Sequence, residues 1–83
     1  MSKHVTVYAL STCIHCSHCK DYLDERGQAY ECVYVDRLSG DERNDAMALV
    51  RKLNPAMSFP TVVVEGRAIV GFDKDALEKA LEE

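Results

Sequence analysis

No stretch of the 83-residue chain approaches the roughly 20 consecutive apolar residues that a membrane-spanning helix needs. The opening M-S-K-H-V-T-V also leads straight into alternating residues instead of the apolar h-region of a signal peptide. Basic clusters are missing as well. Ten Lys and Arg against 14 Asp and Glu leave a formal charge of -4, so a phosphate backbone is repelled more than attracted. No membrane and no nucleic acid is therefore expected as a partner, and the chain is expected to be cytoplasmic. Repeats, low-complexity tracts and linkers are absent too, and a chain this short buries only about 60% of its unfolded surface around one modest core. A single domain over residues 1–83, acting as a monomer, is the organisation expected.

What the chain does contain is the composition of a soluble globular domain, with 47% hydrophobic and 29% charged residues. It also contains four cysteines, which in a reducing compartment point to redox work or metal rather than structural disulfides. Three of them lie in residues 11–19, S-T-C-I-H-C-S-H-C, together with two histidines. The histidines and the third cysteine suit a metal site, whereas the first pair is the minimal redox dithiol, C-x-x-C.

Short extended and longer helical patterns alternate along the chain. Val5 to Leu10 reads as a strand buried on both faces. Ser11 or Thr12 is the expected cap of a helix in which Cys16, Cys19 and Leu23 recur at helical spacing until Gly27, a left-handed stop. Cys13 then sits at that helix's N-terminus. Tyr30 to Val35 is a second strand, bounded by Gly27-Gln28 and Asp36. Ser39 and Glu42 fit a capping box ahead of a stripe at Ala46, Leu49, Val50 and Leu53, and this helix stops at Asn54-Pro55. Thr61–Val64 and Arg67–Val70 flank Glu65-Gly66 as a hairpin, in which Gly66 supplies the positive φ. Asp73 precedes a last helix carrying Leu77, Ala80 and Leu81, whose terminal Glu82 and Glu83 oppose the helix dipole and should fray.

The order βαβαββα, with a right-handed first crossover that makes the first two strands parallel, is that of the thioredoxin fold. The predicted fold is thus α/β, a four-stranded mixed sheet flanked by three helices. Three motifs fall at the matching elements: Cys13-Ile14-His15-Cys16 after the first strand, Phe59-Pro60-Thr61 before the third, and Gly71-Phe72-Asp73 before the last helix. Over its whole length the chain resembles a small glutaredoxin. The resemblance implies a thiol–disulfide oxidoreductase with no bound cofactor, acting on disulfide-containing proteins and supplied with electrons by glutathione or a thioredoxin reductase. It also implies that Phe59, Pro60 and Thr61 bind substrate, with a cis bond before Pro60 that leaves the N–H and C=O of Phe59 free to pair with an extended substrate, and a site for the γ-glutamyl end of glutathione at Gly71, Phe72 and Asp73. Two positions depart from the pattern. Val70 stands in place of the first glycine of a Gly-Gly pair, and Leu10 in place of a lysine three residues before the nucleophile. The Gly-Phe pair is similar instead to NrdH-type redoxins, which look like glutaredoxins but take electrons from thioredoxin reductase.

Disulfide exchange requires a thiolate, and the positive end of a helix dipole with its free N–H groups stabilises one at Cys13. Cys16, one turn on, is close enough to displace a substrate from a mixed disulfide. The plainer reading of both is as small buried hydrophobes. His15 is expected to favour the Cys13 thiolate through its partial positive charge, or else to be an exposed turn histidine; His18 is given no role. Cys19 reads as a buried small side chain. The alternative groups Cys13, Cys16 and Cys19 with a histidine around zinc, or around an iron–sulfur cluster bridging two chains, as a metal carrier. In the favoured reading no metal ligand is assigned. Cys32, flanked by Tyr30 and Tyr34 at same-face spacing, reads as packing.

Overall fold

In the computed structural model, which describes residues 3–82, strand β1 (Val5–Ala9) lies at the centre of the architecture. Its β-branched residues alternate between full and partial burial. Val5, Val7 and Ala9 are buried while Thr6 and Tyr8 are half-buried, so one face is fully covered and the other only in part, short of the burial on both faces expected from its composition. Strand β2 (Glu31–Tyr34) runs parallel to β1, pairing Thr6 with Glu31 and Val7 with Cys32. On the other side β3 (Thr61–Val64) is antiparallel to β1 and carries β4 (Arg67–Val70) at the far edge, giving the order β2-β1-β3-β4. With α1 (Ile14–Glu25), α2 (Gly40–Leu53) and α3 (Lys74–Glu82) this is the thioredoxin fold, a four-stranded mixed sheet with three α-helices. A short 3-10 turn at Val35–Arg37 follows β2 where the sequence predicted only the end of a strand.

The main core joins one sheet face to two helices. Val5, Val7, Ala9, Val62, Val64 and Ile69 meet Cys16, Cys19 and Leu23 of α1 and Leu77 and Ala80 of α3. Helix α2 is held more loosely. Val50 is buried, Ala46 and Leu53 are half-buried, and Leu49 remains 42% exposed, so the predicted stripe is only partly used.

Helix termini show where local chemistry overrode the sequence reading. Ser39 is the N-cap of α2, but its side chain makes no capping bond: Gly40, at φ +58, turns the chain away from helical geometry and moves the serine out of reach. The cap of α1 is neither Ser11 nor Thr12 but Cys13. Ser11 is committed elsewhere, as described below. The other end of α1 closes in a Schellman motif: the Gln28 N–H donates to the Leu23 carbonyl and the Gly27 N–H to that of Asp24, each at 3.0 Å, with Gly27 at φ +70. Glu65 and Gly66, at φ 49 and 83, form the tight turn between β3 and β4. The Asp73 carboxylate caps α3 by accepting the Ala76 N–H at 3.1 Å. Helix α3 continues to Glu82; the fraying expected at Glu83 and the leader reading of Met1 and Ser2 lie outside the described residues.

Candidate active site

The loop from β1 to α1 is fixed before it reaches the first cysteine. Ser11 donates its N–H to Asp36 Oδ1 at 3.0 Å and its hydroxyl to Oδ2 at 2.5 Å, and the Cys13 N–H closes a turn onto the Leu10 carbonyl at 3.2 Å. Because β1 and β2 are parallel, their C-terminal ends share one edge of the sheet, and Asp36 just after β2 faces Ser11 just after β1. The Ser11 bonds hold the Asp36 carboxyl below the usual carboxylate range. Cys13 follows in an extended conformation, φ −87 and ψ 119, and its sulfur turns back over the helix end to accept the Cys16 N–H at 3.3 Å.

This geometry separates the two thiols. Burial by itself would raise the Cys13 pKa, but the Cys16 thiol and the N–H groups of Cys16 and His15 together outweigh it, and the net shift is downward. Cys16 is 1% exposed, and burial first, then its bond to Cys13, push it well upward. Neighbouring sulfurs are thus tuned apart, one toward thiolate and one toward thiol. At neutral pH iodoacetamide is expected to label Cys13 well before Cys16, Cys19 or Cys32. Below the Cys13 pKa the rate should fall about tenfold per pH unit as the thiolate is protonated. Peptide mapping of partly labelled protein checks this, and labelling led by Cys19 would overturn the assignment of the nucleophile.

His15 reaches Cys13 through its main-chain N–H, and its side chain is exposed. His15→Ala, which keeps that N–H, is expected to leave the Cys13 pKa nearly unchanged. His15→Pro, in the first turn where proline is tolerated, should raise it. Thiolate absorbance across a pH titration distinguishes the two outcomes, and a clear rise in His15→Ala would assign the effect to the imidazole.

A second segment approaches from β3. The Phe59–Pro60 bond is cis, and the Phe59 carbonyl lies 4.0 Å from Cys13 Sγ. Asn54, buried at the end of α2, anchors this segment by donating to the Ser58 carbonyl at 3.0 Å, to Ser58 Oγ at 3.1 Å and to Thr61 Oγ1 at 3.0 Å. The Thr61 hydroxyl donates in turn to the Ser58 carbonyl at 2.9 Å, so it is turned inward and serves the loop. The Gly71 N–H donates to the Pro60 carbonyl at 2.9 Å, extending the β3–β4 ladder by one pair, and φ +73 then turns the chain toward α3. Cys13, Cys16, Phe59 and Pro60 therefore converge, with Gly71 tied behind them. Phe72 and Asp73 make contacts of their own. Phe72 packs on the Tyr22 ring, centroids 6.0 Å apart, in a shallow depression shared with His18 and Lys74, while the Asp73 carboxylate is spent on its own helix.

A cleft of about 110 Å³ opens beside the cysteines, lined by Leu10, Ser11, Cys13, Cys16, Ser17, Lys20 and Tyr34. The Lys20 ammonium bonds the Tyr34 hydroxyl, which holds its pKa above the ordinary lysine value. Sequence reasoning missed Lys20, Tyr34, Asp36 and Asn54. Lys20, four residues after Cys16, was accessible from helical spacing, and Asp36 from the parallel strand ends. Asn54 gave no signal beyond the end of a helix. Among the described residues, no group of three or more His, Cys, Asp or Glu side chains is arranged to hold a metal ion.

A parallel β1–α1–β2 unit with a dithiol at the helix N-terminus and a cis-proline loop facing it defines a thioredoxin-fold dithiol protein. The glutaredoxin family model matches residues 5–69, and the chain belongs to that family. It is similar to the glutaredoxin of Methanosarcina mazei Go1, with 41% identity and a TM-score of 0.90 over 96% of this chain and 79% of that one. Methanoredoxin of Methanosarcina acetivorans is 37% identical with a TM-score of 0.89, over 96% of this chain and 85% of its own. A glutaredoxin-like 8.6 kDa protein of the rubredoxin operon of Clostridium pasteurianum is 27% identical over 94% of this chain and 97% of its own.

Proposed function

We propose that the protein is a thiol–disulfide oxidoreductase that reduces protein disulfides or glutathione mixed disulfides by cycling Cys13 and Cys16 between dithiol and disulfide. The observation that carries this reading is the Cys13 sulfur at the N-terminus of α1, facing the Cys16 N–H with the buried Cys16 thiol beside it. The Cys13 thiolate attacks one sulfur of the substrate disulfide, forming a mixed disulfide and expelling the other sulfur as a thiolate that takes up a proton. Cys16 then loses its proton and attacks Cys13 Sγ. The Cys13–Cys16 bond forms, the second substrate thiol leaves, and two electrons have passed to the substrate. The Phe59 carbonyl, which faces Cys13 Sγ at 4.0 Å, accepts an N–H from an extended substrate, and Pro60, with no N–H, does not compete. No helix among the described residues is long and apolar enough to cross a membrane, and the protein works in the cytoplasm as a monomer in this reading.

For the return half of the cycle, a thioredoxin reductase or similar protein reductase is the better donor and glutathione the poorer one. Leu10 removes a charge-assisted contact to a carboxylate, and exposed Val70 adds a branched side chain beside the Gly71 turn. Lys20 reaches the same cleft from α1, but its ammonium is engaged by Tyr34. Stopped-flow reduction of the oxidised protein is expected to be slow with glutathione and fast with thioredoxin reductase and its nicotinamide cofactor. Fast reduction by glutathione that is lost in Lys20→Met would show that Lys20 does the work of the missing lysine and that glutathione is the donor.

A further inference from the structure

Two of the four cysteines take no part in this cycle, and the fold brings them to one place. In the parallel ladder Cys32 stands opposite Val7, so it faces the same side of the sheet as that fully buried residue, toward α1. Two contacts clamp β2 to α1 on either side of it. The Lys20 ammonium bonds the Tyr34 hydroxyl, and the Tyr30 hydroxyl bonds the Asp24 carboxylate. Tyr30, Cys32 and Tyr34 alternate onto one face of the strand, while Lys20 and Asp24 are one helical turn apart. Cys32 therefore meets the helix between those two contacts, along the stretch where Cys19 and Leu23 turn inward. Cys19 is 0% exposed, and Cys32 packs against the cluster that contains it. After burial, the charge of Cys32 is what raises the Cys19 thiol, to about 11, and the charge of Cys19 acts on Cys16. Cys16 and Cys19, three residues apart, share the inward face of α1.

We propose that Cys19 and Cys32 are a second redox couple behind the catalytic pair, filled by internal exchange from the Cys13–Cys16 disulfide. The proposal rests on the reading that Cys13 and Cys16 cycle. The Cys19 thiol gives up its proton and attacks Cys16 Sγ; the Cys13–Cys16 bond breaks, a Cys16–Cys19 bond forms, and Cys13 leaves as the thiolate. Cys13, the thiol of lowered pKa, is the better leaving group of the pair. Cys32 then loses its proton and attacks Cys19 Sγ, forming Cys19–Cys32 and releasing Cys16, which takes up a proton. Two electrons have moved from the inner pair to the outer one; of the two protons given up, Cys16 takes one and the other passes to solvent, leaving Cys13 as its thiolate. The catalytic dithiol is restored without an external donor. Little of the buried Cys19 is ionised at neutral pH, so this transfer is slower than the surface reaction.

The test uses the reduced full chain treated with excess glutathione disulfide, quenched in acid, unfolded and alkylated with N-ethylmaleimide for intact-mass and peptide analysis. Alkylatable thiols should fall from four to two in a fast phase that links Cys13 to Cys16. They should then fall from two to none in a slower phase that yields a peptide linking Cys19 to Cys32. In Cys16→Ala the linked inner peptide should be lost. A wild-type reaction that stops at two thiols with Cys13–Cys16 formed, or that leaves glutathione on Cys19 or Cys32, overturns this inference and spares the catalytic reading. Failure of Cys13–Cys16 to form overturns both. An inner disulfide that forms at the wild-type rate in Cys16→Ala overturns the internal route.

Discussion

Cys16→Ser is expected to stop turnover while leaving the first chemical step intact, so that a mixed disulfide accumulates on Cys13. Cys13→Ser is expected to react with no disulfide at all, its activity falling on the order of 10³-fold or more. The asymmetry follows from geometry. Cys13 is reachable and its thiolate accepts main-chain N–H groups, whereas Cys16 is sealed beneath it and meets only a sulfur already bonded to Cys13. Without Cys16 nothing within reach can displace the substrate, since Cys19 is buried a turn further along α1. Non-reducing electrophoresis with a disulfide-bonded protein substrate separates the two variants. Accumulation of the adduct in Cys13→Ser, with none in Cys16→Ser, would reverse the roles.

A second large effect is expected from two buried side chains that differ in what they support. Leu23 is 0% exposed among the sheet and helix residues of the core, and Leu23→Ala should cost about 2–5 kcal/mol through lost burial and the cavity left behind. For a domain of this size that corresponds to a loss of roughly 10 °C or more in Tm. The Cys13 pKa should change little, because the helix end that sets it lies away from Leu23. Asn54→Ala should cost about 1–3 kcal/mol, because it removes the donor shared by Ser58 and Thr61 in a buried setting. Here the effect reaches the site. The loop that carries the Phe59 carbonyl loses its anchor, so KM for a protein disulfide should rise while the Cys13 alkylation rate stays near wild type. Thermal unfolding, alkylation and steady-state kinetics on both variants separate the cases. An Asn54→Ala protein with unchanged KM would make Asn54 a stability residue only.

The strands, helices and their order were legible because hydrophobic period and turn residues act locally. The first strand at Val5–Ala9, the stop at Gly27 and the turn at Glu65-Gly66 each appear where their own residues predict. The cysteine pair at a helix start was legible for the same reason. Missed features depend on a partner or a backbone angle that the residue's own type does not reveal. Ser11 looked like a cap because serine favours caps, yet Asp36, 25 residues away, claims both its N–H and its hydroxyl. Ser39 and Glu42 satisfied a capping pattern that Gly40 defeats with one backbone angle. Thr61 read as part of a substrate surface because it follows Pro60, but Asn54 draws its hydroxyl into the loop. A sequence pattern records which bonds a residue can make, and tertiary neighbours decide which of them it does make.

That Cys13 is itself the N-cap of α1 gives the redox state a mechanical meaning. In the dithiol protein the amide of Cys16 donates to an anionic or strongly polarised sulfur; in the disulfide that sulfur is neutral, and the first turn of the helix is less firmly tethered. By thermodynamic linkage, the free energy that tightens this turn on reduction is the same that makes the disulfide a stronger oxidant. Amide hydrogen exchange at Cys16 should therefore slow when the protein is reduced, so that the start of α1 registers how many electrons the site holds.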